Sequence, residues 1–136
     1  MKYYFNIQFV DIPFEEVIDQ VISGLKDEGF GIISDIDISD TLKKKINVDF
    51  KKYRILGACN PALAYNAIQN EDKIGLMLPC NVLVEENNEG GVEASIIDPV
   101  ASMMAIENNN LGDIAKQVRS KLQKVAENLS QQNVNV

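Results

Sequence analysis

The chain contains no histidine. Ser-His-Asp and Cys-His catalysis both need an imidazole, and so does every His-ligated metal centre, so none of these can be assembled within one chain. Nor can an imidazole serve as general base at neutral pH. Cysteine is scarce: Cys59 and Cys80 are the only two, too few for a zinc site of their own. Basic residues are also few, 13 against 20 acidic, for a net charge of −7. Nucleic-acid binding relies on Lys and Arg neutralising phosphates, and anionic lipid surfaces likewise attract basic segments. Neither a nucleic acid nor a membrane is therefore expected as a partner. The densest basic stretch, Lys43, Lys44, Lys45, Lys51, Lys52 and Arg54, is interrupted by Asp40 and Asp49. It reads as a solvated face, with a local anion site as the alternative.

Long apolar runs are missing too. No segment approaches the ~20 residues needed to span a bilayer. Met1 to Ile7 shows neither an apolar signal core nor a small-residue cleavage site. The expected location is the cytoplasm, where both cysteines remain thiols.

What is present suits one globular domain. The 136 residues are 46% apolar, enough for a core without disulfides or structural metal. A single α+β domain is expected over residues 1–130, with a frayed polar tail over 131–136.

Tyr3, Phe5, Ile7 and Phe9 alternate with polar neighbours, the period of a half-buried strand. After Pro13, the residues Phe14, Val17, Ile18, Val21, Ile22 and Leu25 follow helical spacing. Glu15 and Glu16 suit that helix's positive end, and Gly29 its stop. A second strand is expected from Phe30 to Ile38, then a short helix from Thr41 to Ile46 capped by Ser39 or Asp40. Tyr53 to Cys59 reads as a third strand. Asn60-Pro61 is a helix cap followed by proline at the first helical position, and Asp98-Pro99 repeats the device. Ile74 to Glu86 predicts a buried strand with a defect at Pro79. Asn87 to Gly91 predicts a hairpin loop, with Val92 to Ile97 as the return strand. A helix bearing Val100, Met103 and Met104 follows, then a break at Asn108 to Asn110 and a final helix from Leu111 to Leu129. The order predicts an antiparallel or mixed sheet with helices on one face.

Within the final helix Leu111, Val118 and Val125 repeat every seven residues, as do Ala115, Leu122 and Leu129. Such a seam packs on the chain's own sheet or pairs two subunits. The chemically unusual stretch is Arg54 to Pro61, where a strand carrying a charge, a glycine and a thiol runs into a helix start. Helix starts present N–H groups that can hold an anion or lower a thiol pKa. Leu78 to Val82 places a second thiol, Cys80, beside Pro79 and next to Asn81. Each cysteine can equally be a small buried hydrophobe. Alternation puts Cys59 on the face opposite Arg54. Asp35 and Asp37 read as solvent-facing charges, Met103-Met104 as core filler, and Gly90-Gly91 as a turn.

Three separated motifs, Arg54 to Tyr65, Ile74 to Val82 and Ile97 to Val100, together resemble the bacterial and archaeal domain-of-unknown-function family numbered 302. The resemblance runs from about Tyr3 to Leu129. It implies a β-α-β(4)-α arrangement of the TATA-box-binding-protein-like type and suggests a homodimer, but supplies no activity. The leading expectation is a homodimeric module binding a small ligand or partner, with Arg54, Cys59, Asn60, Cys80, Asn81 and Asp98 as binding candidates. One alternative is a thiol-based redox or transfer enzyme using Cys59, Cys80 or both. Another is a purely structural interaction protein. The residues identify no cofactor and no metal site.

Overall fold

The computed structural model describes residues 2–133. Five strands form one antiparallel sheet: β1 (Tyr4–Phe9), β2 (Gly31–Asp37), β3 (Tyr53–Cys59), β4 (Cys80–Glu86) and β5 (Val92–Ile97). Their order is β1-β5-β4-β3-β2, so the first and last strands are neighbours. The α+β class expected from the element order is the one found. Register aligns the apolar positions across the sheet, with Ile7 opposite Ala94, Ile96 opposite Val82 and Val82 opposite Leu56. All five are essentially inaccessible to solvent.

Helices α1 (Phe14–Asp27) and α5 (Asn109–Gln132) cover that face. The apolar stripe of α1 buries Phe14, Val17, Ile18, Val21 and Leu25. The helix ends where Gly29 takes a φ of 86°, which lets Phe30 N–H reach back to the Leu25 carbonyl at 2.9 Å. The outer face of the sheet stays polar in part. Asn6 Nδ2 donates to Ser95 Oγ at 3.0 Å, and Gln8 Nε2 to Glu93 Oε2 at 3.0 Å.

The seam of α5 is buried inside its own chain. Leu122, Val125 and Leu129 join the sheet core, while Leu111 and Ile114 join a second, smaller cluster with Ala67 and Ile74. Val118 packs against both. The seam is thus consumed within the chain, leaving little of it for a second subunit.

Several elements depart from expectation. Helix α2 spans Ile38–Ile46, starting three residues early. Its cap is Asp37, whose Oδ1 accepts from Asp40 N–H at 3.0 Å and from Ser39 Oγ at 2.7 Å. The Asp40 N–H and then the Ser39 hydroxyl hold that carboxyl below the usual carboxylate range. The strand expected from Ile74 begins only at Cys80. Asp72–Met77 is instead a 3-10 helix, and Pro79, with no N–H for a ladder, stands just outside the strand. The helix after Asp98-Pro99 is a single turn, α4 (Pro99–Ser102). The last helix continues through Ser130 to Gln132, where fraying was expected, and residues 134–136 of the expected tail lie outside the described residues.

Candidate functional site

At one end of the sheet, helix α3 (Pro61–Asn70), the 3-10 helix, the α4 turn and the first turns of α5 form a cap. Between this cap and the ends of β3 and β4 lies a cavity of about 290 Å³, open on one side. It separates the two apolar clusters. Ala58, Cys80 and Phe30 belong to the sheet core, and Ala67, Leu111 and Ile114 to the cap. Leu63, Ala64, Ile68, Leu78 and Met103 complete much of the wall. Among the described residues, the lining holds no carboxylate, lysine or arginine; its polar members are Asn60 and the two thiols.

Local sequence explains the position of each. Register sets Ala58 opposite Cys80, so Cys59 lies one residue beyond that pair. Leu56 and Ala58 are buried in the core, and Cys59, at the end of the strand, is half-buried and reaches the cavity wall beside them. The strands close together here because residue 57 is glycine. A Cβ at Gly57 would collide with Ser34 Oγ and come within 2.7 Å of Pro79 Cγ. Both thiols are free; Cys80 is buried and Cys59 half-buried. Burial, and then the neighbouring Cys59, push the Cys80 thiol up to about 11, so it stays protonated at neutral pH. A protonated thiol is a poor nucleophile.

Asn60 begins α3. Its Oδ1 accepts from Leu63 N–H at 3.3 Å and its carbonyl accepts from Ala64 N–H at 2.9 Å. Pro61 contributes no N–H. Asp98 is built the same way. It is 8% exposed, and its Oδ1 accepts from Val100 N–H at 3.0 Å. Its Oδ2 accepts from Arg119 Nε at 3.0 Å, and that guanidinium lies over the Phe5 ring. Asp98 therefore ties α5 to the α4 turn, and Pro99 rather than Asp98 reaches the cavity wall.

The six expected site residues thus divide. Cys59, Asn60 and Cys80 meet at the cavity. Asp98 stands behind it. Asn81 is exposed and points to the outer sheet face, in a shallow hollow with Tyr4, Leu83 and Ser95. Arg54 sits near the far end of β3, where its Nε donates to Asp35 Oδ1 at 3.0 Å and its Nη1 to Glu15 at 3.2 Å. These partners, Asp35 first, hold the guanidinium firmly protonated. Most of the surrounding basic stretch is likewise engaged: Lys43 pairs with Asp49, Lys44 with Asp40 and Lys51 with Glu85. Among the described residues no group of three or more Cys, Asp or Glu is placed to hold a metal ion. No described helix is long and apolar enough to cross a membrane.

Sequence reasoning missed Phe30, Met103, Leu111 and Ile114 as walls of a shared space. One signal was present: Pro61–Asn70 contains no charged residue in a chain that is 24% charged. A surface helix with a single function in packing would carry more.

The fold and site define a small α+β domain with an apolar cavity under an end cap. The chain belongs to the family described as domain of unknown function DUF302, whose model matches residues 7–129. A crystal structure of an uncharacterized conserved protein DUF302 from Bacillus stearothermophilus is similar, with a TM-score of 0.84 and 24% identity. The match covers 93% of this chain and 98% of that one, and at this identity it shows the fold alone. Comparison with curated proteins finds no match.

Proposed function

We propose that the chain is a binding module that holds a small, mainly apolar molecule in the cavity beneath α3. The cavity itself carries this reading. Sealed and empty, a void of about 290 Å³ would cost about 7 kcal/mol at ~24 cal/mol per Å³, comparable with a domain's whole stability. Its open side admits water instead, but apolar walls give water few partners. An apolar guest resolves both problems. Apolar walls with a few convergent polar groups are the usual make-up of ligand sites. The protonated Cys80 and the uncharged lining speak for binding over thiol chemistry.

A homodimer has separate support. Helix α2 is amphipathic yet buries no residue within its chain. Ile46 at its end is exposed, as are Val48 and Phe50 just after it and Ile36 on the edge strand β2. An amphipathic helix left uncovered beside exposed apolar side chains suits an interaction face, and a two-fold pair of identical copies is the commonest way to cover one. The two free thiols fit a reducing compartment such as the cytoplasm.

Native mass spectrometry of freshly purified protein tests both. The expected spectrum is a dimer carrying extra mass that denaturation releases. A bare chain that also shows no thermal shift with a panel of apolar compounds overturns the ligand reading, and a monomer overturns the dimer.

A further inference from the structure

Resting on the cavity's reading as a ligand site, we infer that its ligand is a single-chain aliphatic amphiphile, with an apolar tail of about ten to twelve heavy atoms inside and its polar end left in water at the mouth. The cavity selects the tail by length rather than the head by charge. Enclosure divides the wall in two. Phe30, Ala58, Ala67 and Leu111 are almost inaccessible and belong to its closed part. Ile33 and Ile68 are 64% and 41% exposed, and Gly75 is exposed as well, so these three mark the mouth. Ile33 stands there because the register of β2 slips between Ile32 and Ser34, and a bulge re-aims the extra side chain. A Cβ at Gly75 would meet nothing within 4 Å, so the mouth is unobstructed at that point.

The closed part suits a tail and offers a head almost nothing. Asn60 is half-buried with its Oδ1 committed to the α3 cap, and the thiols are only weak donors. A polar group pushed inward would lose its water without replacement. At the mouth it keeps that water, and no charged side chain lines the wall to attract or repel it. Phe30 is the single aromatic ring among the lining residues, so a planar guest finds no pair of rings to stack between, whereas a flexible chain follows aliphatic walls. Size sets the length. A cavity of ~150 Å³ takes benzene, so one of about 290 Å³ takes about a dozen heavy atoms. Each methylene up to that limit tightens binding about three- to four-fold, and those beyond it stay in water and add nothing.

The test uses the full-length protein loaded with the neutral fluorophore N-phenyl-1-naphthylamine and displaced at neutral pH by straight-chain alcohols from hexanol to tetradecanol, each below its solubility limit. Affinity is expected to climb with every carbon as far as decanol to dodecanol and then to level off. Decanoate and decyltrimethylammonium are expected to fall within about ten-fold of decanol. Ala67→Leu fills the closed part with about three further carbons, and is expected to move the levelling-off to chains about three carbons shorter. Ala64→Leu, on the same wall of α3, supplies the same shift should the first variant not fold. Affinity still climbing at tetradecanol, a length limit unmoved in the leucine variants, or a head-group difference beyond about ten-fold overturns the inference while leaving the cavity a ligand site. Failure of the fluorophore and every competitor to bind overturns both readings.

Discussion

The two apolar clusters of this chain use the same residue types and reach different ends. Under the sheet, Val21, Leu25, Leu56, Val82, Ile96 and Leu122 close on one another with 0% exposure. Under the cap, Ala67, Ile74, Leu111 and Ile114 are nearly as buried, yet they leave a cavity beside them. Close packing is the default of protein interiors. Where one of two neighbouring clusters falls short of it, the shortfall is the place to look for function.

Deletion mutants should separate the clusters first. Leu122→Ala removes a fully enclosed side chain and is expected to cost about 3–4 kcal/mol. Leu111→Ala only enlarges a space already open on one side, and is expected to cost about half as much. Urea unfolding of both variants checks the order, and equal losses would mean the cap is as tightly closed as the core.

The next effect is on alkaline stability. In the unfolded chain the Cys80 thiol titrates near its ordinary 9.0, and in the folded chain at about 11. Below the lower value both states hold the proton and nothing changes. Between the two, the unfolded chain releases its proton first, so stability falls as pH rises, by roughly 2–3 kcal/mol in total. Cys80→Ala should lack that share of the alkaline loss, measured by denaturation at matched pH values. Parallel curves for the two proteins would place Cys80 in a wetter setting than its burial implies.

Insertion should invert the comparison. Ala94→Leu, in the filled core, is expected to destabilise by about 1–3 kcal/mol. Ala67→Leu grows into the cavity and is expected to be neutral or to stabilise by up to about 1 kcal/mol, while weakening any guest. A loss at Ala67 equal to that at Ala94 would contradict the cavity. The smallest effect belongs outside both clusters. Asp35→Asn weakens the half-exposed pair with Arg54 and should cost under about 1 kcal/mol, less in high salt.

Much of this fold could be read locally. The strand Tyr53–Cys59, the loop Asn87–Gly91 and the two cap-plus-proline helix starts are each written in adjacent residues. So was the division between Cys80 and Asn81, since neighbours on a strand face opposite ways. The start of α2 was harder, because Asp37, Ser39 and Asp40 are all competent caps and only the backbone path selects among them. The stretch from Ile74 misled because its apolar residues serve two destinations: Ile74 goes to the cap, Val82 and Val84 to the sheet. The cavity was the least legible. It is a volume left over between segments far apart in sequence, and no local pattern encodes a residue's failure to touch its neighbour. Its three polar walls among the described residues, Cys59, Asn60 and Cys80, were nevertheless marked by their chemistry, while Arg54, Asn81 and Asp98 stand away from it.

Helix α5 runs through both clusters, with Val118 at their junction. Its first turns belong to the loosely filled cap and its later turns to the closed core. One continuous rod is thus expected to span two regions that open at different free energies. Amide hydrogens along it should exchange in two tiers with a step near Val118, and a guest in the cavity should slow the faster tier. A helix of this kind is a ruler along which occupancy at one end can be read.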